Sequence, residues 1–383
     1  MRIISVVGAR PNFMKIAPFT RVVNRYISEG QAIEHILVHT GQHYDDRMSG
    51  SFFEQLGIPA ADINLGIGSG THAEQVGRTM IAFEKVLKEK RPDWVVIVGD
   101  VNAILACSVT AKKENIRCCH IEAGLRSGDM SMPEEINRLV ADRICDLLLT
   151  PDRISSENLR KEGIPESKIR FVGNIMIDTL DSSLDKALKL DISSICRENA
   201  IGEHVEMIKA GEDYAVMTLH RPSNVDSEDV LKNLVDFALT TICRDRKLIW
   251  SLHPRTMKMA EEFNLMDRLN SQRNLVLLKP IGYLEMLRLN SSAAIMLTDS
   301  GGLQEECTVL GTPCLTMRWN TERPVTLTEN GGVSRLVGNN IDRIKAEYSK
   351  ALAQGRKPVR PELWDGKTAE RCLSAILEYK PQA

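Results

Sequence analysis

The sequence predicts an α/β protein made of two Rossmann-like, doubly wound domains. Three observations carry that prediction. Short β-branched runs alternate with longer stretches of helical period, the rhythm occurs in both halves, and 383 residues exceed one ordinary core while suiting two. Two domains of this kind leave a cleft, which is where a ligand is expected.

In the first half the strand-like runs are residues 3–7, 34–39, 94–98, 117–121 and 147–150, each followed by a loop and a helical segment. Residues 170–174 read as the last strand, with Gly173-Asn174 as a turn at the crossing. Strand-like runs resume at 214–219, 247–252, 274–278, 294–297 and 313–317. The expected domains are therefore 1–172 and 173–365, the second holding the nucleotide. After Pro358 and Pro361 a final helical segment, placed at 366–383, is expected to pack back on the first domain.

The totals exclude several classes. Lys and Arg number 49 and Asp and Glu 51, a formal charge of −2, so no global field favours nucleic acid and an anion must be held by local groups. The first apolar run breaks at Gly8-Ala9-Arg10, too short for a signal segment or a membrane span, and a cytosolic (cytoplasmic) protein without membrane partner is expected. Nine cysteines show no CxxC spacing, and Cys118 and Cys119 lie in a strand-like run; buried, reduced thiols explain that pattern better than disulfides or zinc.

In open α/β sheets ligands lie beyond the carboxyl ends of strands, so the residues after each strand are the informative ones. After the first come Arg10 and Lys15, at the start of a helix whose free N–H groups would suit phosphate. Gly99-Asp100 follows the strand ending at Val98; Asp100 is either a site carboxylate or a cap for the next helix. Glu122, Glu134, Glu135 and Arg138 follow the next strand. Glu135 and Arg138 stand three apart on one helical face and fit an ordinary surface pair, whereas crowded carboxylates at strand ends fit acid/base work.

In the second half His220 ends a strand beside Arg221, and His253-Pro254-Arg255 ends the next. Thr298-Asp299-Ser300-Gly301-Gly302 opens a helix where glycines let a diphosphate reach backbone N–H groups, and Glu306, a turn on, could accept ribose hydroxyls. Gly66-Ile67-Gly68-Ser69-Gly70 mimics a dinucleotide loop, but the first strand-to-helix turn lacks GxGxxG, which argues against nicotinamide. His39 and His43 with Asp45 and Asp46 lack metal spacing, and no metal site is expected.

GARPNFMK, TGQHYD, VGD, HIEAGLRS, MPEEINR, LHR, HPRT, TDSGGLQEE and NTERP, running in this order from Gly8 to Pro324, resemble the non-hydrolysing UDP-N-acetylglucosamine 2-epimerases. The resemblance implies a glycosyltransferase-B type fold with an interdomain active site, a homodimer, a UDP-sugar partner, and no cofactor or metal. It implies catalytic roles for Asp100, Glu122, Glu134 and His220. Nucleotide-sugar contacts are implied for Arg10, Lys15, Arg138, Ser300, Gly301, Gly302 and Glu306. The implied reaction is reversible C2 epimerisation of UDP-N-acetylglucosamine to UDP-N-acetylmannosamine, by loss of UDP to a 2-acetamidoglucal and its re-addition, serving polysaccharide synthesis. Asn12, Val101 and Val325 depart from the commoner bacterial pattern without removing a proposed catalytic group, whereas the segments around Gln42-His43 and Gly68-Ser69-Gly70 lack the Gln and Arg of the regulated members, which argues against allosteric activation and leaves a related UDP-2-acetamido sugar as an alternative substrate. A hydrolysing 2-epimerase and a glycosyltransferase of the same fold compete with that expectation.

Overall fold

A computed structural model describes residues 1–8, 10–41, 60–202, 208 and 211–380, with Arg10 and Pro11 described by backbone alone. The chain divides into two compact units, 1–182 with 361–383, and 183–360. The division falls within the helix Ile175–Leu188, downstream of the Gly173 turn, and the chain rejoins the first unit at Pro361.

The first unit holds β1 (Arg2–Val7), β2 (Glu34–His39), β3 (Ile63–Asn64), β4 (Trp94–Val98), β5 (Arg117–Ile121), β6 (Leu147–Thr150) and β7 (Ile169–Phe171). They form one parallel sheet in the order β3-β2-β1-β4-β5-β6-β7. Central strands read as unbroken apolar runs because helices cover both faces; β4, WVVIV, is buried at every position. The closing helix Thr368–Leu377 packs against the helix Arg10–Ser28 of the same unit. Trp364 is buried just before it, its indole N–H bonded to Pro151 O at 3.0 Å.

The second unit holds β8 (Tyr214–Thr218), β9 (Lys247–Ser251), β10 (Leu275–Leu278), β11 (Ile295–Thr298), β12 (Cys314–Thr316) and β13 (Ser334–Leu336). This sheet is also parallel, in the order β10-β9-β8-β11-β12-β13. Its core includes Trp250, Phe237 and Tyr348, the last two meeting edge to face. Both sheets thus reverse their strand order once, between β1 and β4 and between β8 and β11, and doubly wound sheets open a crevice at such a point.

All nine cysteines are buried and unpaired, and burial raises the thiols of Cys196 to about 11 and Cys243 to about 12. Among the described residues no helix is long and apolar enough to cross a membrane.

Candidate active site

In the first unit the chemistry gathers at the β1/β4 reversal. The helix Arg10–Ser28 starts just beyond β1, and its buried Lys15 sends Nζ to Glu122 Oε2 beyond β5. Asn12, one turn earlier, is buried with its Nδ2 2.5 Å from Val98 O. The side chain of Arg10 lies outside the described residues, as do His43, Asp45 and Asp46. His39 packs on Phe13, ring centroids 5.1 Å apart.

Glu122 reaches Lys15 because the backbone turns sharply as β5 ends. It adopts φ +75°, a left-handed conformation that costs a non-glycine residue on the order of 1–3 kcal/mol. The N–H groups of Glu122 and Ala123 both donate to Leu149 O at 3.0 Å, which holds the turn. Gly99, with φ +76°, completes the contact: a Cβ there would lie 3.2 Å from Lys15 Nζ and 3.1 Å from Asn12 Nδ2. A side chain would wedge open the ion pair. The pair is buried, so removing one partner would strand a charge at a cost of about 3–5 kcal/mol.

Asp100 accepts from Arg138 Nη1 at 2.5 Å, and its carbonyl takes Asn137 Nδ2 at 2.9 Å. It does not cap the next helix; the cap position of Asn102–Lys113 is Val101, which makes no side-chain bond. The helix Pro133–Ile144 supplies the partners, starting with Pro133 where no N–H is needed. On it, Glu135 and Arg138, whose spacing alone would also fit a surface pair, are interior. Glu135 and Arg138 are 2% and 1% exposed, joined at 2.6 Å, and Glu135 also accepts the N–H groups of Ser127 and Gly128. Burial would raise the Glu135 carboxyl, but those N–H groups and Arg138 hold it below the usual carboxylate range. The expected repulsion between carboxylates is thus offset by two cations, Lys15 at Glu122 and Arg138 between Asp100 and Glu135. Glu134, half-buried in the first turn of the same helix, has no side-chain ion pair among the described residues.

In the second unit the corresponding reversal, β8/β11, joins His220 to Asp299. His220 Nδ1 lies 2.7 Å from Asp299 Oδ1, and the carboxylate also accepts the N–H groups of His220 and Arg221 and the Asn224 amide. Burial would raise Asp299, yet His220 and these N–H donors hold it below the usual range. His253 stacks obliquely on His220, centroids 5.5 Å apart, and burial followed by the His220 charge lowers its affinity for a proton. No role for Asp299 was evident from the sequence; a carboxylate one residue past the strand beside that of His220 was the available signal.

The helix Gly301–Leu310 starts at Ser300, whose N–H donates to Thr298 Oγ1 at 3.0 Å and whose side chain makes no cap bond. Its first N–H groups are not spent on the cap. Gly301 and Gly302 differ in their reason for being glycine. A Cβ at Gly301 would meet Arg323 Nη1 at 2.6 Å and Glu322 Oε1 at 2.7 Å, whereas nothing described lies within 4 Å of one at Gly302. A side chain at Gly302 would therefore meet open space. Beneath Gly301 runs a buried network: Arg323 pairs with Glu305 at 2.7 Å and with Glu322, which also binds Arg318 at 2.8 Å. Glu306 points inward, buried, toward Asn290 and Tyr283, and desolvation with help from Glu305 raises its carboxyl to about 8.

The family model described as UDP-N-acetylglucosamine 2-epimerase matches residues 25–377. A Methanocaldococcus jannaschii protein named UDP-N-acetylglucosamine 2-epimerase is 41% identical over 380 residues, covering 99% of each chain. The crystal structure of the Methanocaldococcus jannaschii UDP-GlcNAc 2-epimerase in complex with UDP-GlcNAc and UDP superposes with a TM-score of 0.87 at 40% identity, covering 98% of this chain and 99% of that one. A Pseudomonas aeruginosa UDP-2,3-diacetamido-2,3-dideoxy-D-glucuronate 2-epimerase is 37% identical, covering 92% of this chain and 93% of its own. With the glycosyltransferase-B-like pair of sheets and matches of this extent, the chain belongs to the UDP-N-acetylglucosamine 2-epimerase family.

Proposed function

We propose that the protein interconverts UDP-N-acetylglucosamine and UDP-N-acetylmannosamine without net hydrolysis. The observation that carries the proposal is the occurrence of two different chemistries, one at each sheet reversal: cation-balanced carboxylates in the first unit, and a helix start without a side-chain cap beside a carboxylate-held histidine in the second.

C2 of the sugar bears a hydrogen that no adjacent carbonyl acidifies, so direct proton removal is slow. Breaking the C1–O bond to UDP develops positive charge at C1 and makes the C2 hydrogen removable by a carboxylate. Asp100, Glu122 and Glu134 supply acid and base groups for this step and for protonation on the opposite face. The leaving diphosphate calls for fixed donors, which the Ser300-Gly301-Gly302 helix start and His220 supply, with Arg10 and Lys15 as cations. Arg138 holds Asp100 in place, and UDP then re-adds to the 2-acetamidoglucal. No cofactor enters this scheme, and the protein works as a homodimer.

The relative that acts on a UDP-2,3-diacetamido uronate supports a second reading, the same C2 chemistry on another UDP-2-acetamido sugar. Proton NMR of reactions with each sugar nucleotide distinguishes the readings. UDP-N-acetylmannosamine from UDP-N-acetylglucosamine supports the first. Free N-acetylmannosamine with UDP would replace it by a hydrolysing enzyme, and turnover of the diacetamido uronate alone would establish the second.

A further inference from the structure

His120 lies within β5 among apolar neighbours and is fully buried. Its Nε2 is 2.8 Å from Gly99 O, and its Nδ1 is 2.6 Å from Asp142 Oδ1 on the helix Pro133–Ile144. The other Asp142 oxygen accepts Gly124 N–H at 3.0 Å and Arg126 Nη1 at 2.7 Å, and Arg126 binds Glu162 through its remaining edge. A buried polar network of this kind is costly unless every member is satisfied, and here each is.

One ring thereby ties three pieces of backbone together: the turn after β4, the turn after β5, and the helix. Asp100 follows Gly99, Glu122 stands between His120 and Gly124, and Glu134 and Arg138 precede Asp142 on the helix. Every candidate group of the first unit apart from Arg10 and Lys15 hangs from a segment that this ring or its partner holds.

The protons can be counted. A carbonyl oxygen has none to give, so Nε2 donates to Gly99. Burial would raise the Asp142 carboxyl, but His120 and Arg126 hold it below the usual range, and its Oδ1 faces the ring's Nδ1. Loss of either contact would release the segment it holds.

We propose that His120 and Asp142 are positioning residues for the C2 chemistry, a buried histidine–carboxylate brace that fixes Asp100 and Glu122 relative to each other. The proposal rests on the epimerase function proposed for this site. Misplacing a reacting group by about 1 Å costs on the order of 10²-fold in rate, and the brace acts on position alone.

Asp142→Asn tests it, because the amide keeps the shape while turning a donor toward donors. The expected result is a kcat about 10²-fold lower with KM and the Kd for UDP within about threefold of wild type. A folded variant with kcat within threefold would overturn the proposal, as would a loss confined to KM. Should the variant not fold, 15N-histidine NMR of the wild-type protein decides: the His120 ring, assigned by proximity to the Gly99 and Gly124 amides, should carry a hydrogen-bonded Nε2 proton protected from exchange. A ring without a protected Nε2 proton overturns the brace. Wild-type inactivity on every UDP-2-acetamido sugar would sink the epimerase reading, and the ring spectrum would still decide the brace by itself.

Discussion

His220 and Asp299 are joined at 2.7 Å across the point where the second sheet reverses its strand order. The carboxylate is fully buried and is further committed to the N–H groups of His220 and Arg221. Its charge therefore fixes a proton on Nδ1 and leaves the ring's Nε2 edge for other work. Asp299→Asn should preserve the fold but present an amide where the ring needs an acceptor. Turnover is expected to fall by about 10² to 10⁴-fold, as when a triad carboxylate is neutralised, while the Kd for UDP moves by less than about threefold. Kinetics beside calorimetric UDP titration measures both, and unchanged turnover would show the bond to be structural only.

Gly99→Ala is the smallest change that should disturb the first-unit cluster. The residue has φ +76°, and the added methyl would press on Lys15 Nζ and Asn12 Nδ2 at 3.2 and 3.1 Å. Left-handed backbone costs alanine about 1–2 kcal/mol by itself. Urea unfolding should register a loss of at least that size, with turnover reduced more than tenfold. Wild-type turnover in the alanine variant would mean that the Lys15–Glu122 contact tolerates displacement.

Glu306 gives the protein a pH dependence of definite sign. Its folded carboxyl is raised to about 8 from an ordinary 4.5, so between those values the folded state keeps a proton that the unfolded chain releases. Its contribution to stability is present below about 4.5, falls as pH rises toward 8, and is lost above that, at most about 1.4 kcal/mol per pH unit. Glu306→Gln should flatten this part of the profile and melt higher than wild type at pH 8.5. Parallel slopes for the two proteins between pH 5 and 8 would show that Glu306 ionises normally.

The sheets were legible because their strands are apolar along their length, as in β4 and β8, and such runs need no long-range information to recognise. The strand-end motifs were legible for the same reason, since the end of each run marks where Gly99-Asp100, Glu122, His220 and Ser300 must emerge. Burial of polar groups was not. The helix Pro133–Ile144 buries Glu135, Asn137, Arg138 and Asp142, a face that periodicity assigns to water because it is polar. That face turns inward because the groups it meets, Asp100 and His120, are polar too. Pairings across strands, such as Lys15 with Glu122 or His220 with Asp299, depend on strand order, which local pattern does not specify.

Proton exchange at C2 tests the central claim most directly. Wild-type protein incubated with UDP-N-acetylglucosamine in D2O should place deuterium at C2 of UDP-N-acetylmannosamine and, with time, of the recovered UDP-N-acetylglucosamine. Glu122→Gln should lose that exchange while retaining UDP binding. An epimerised product carrying only protium at C2, or no exchange with any UDP-2-acetamido sugar, would contradict the account.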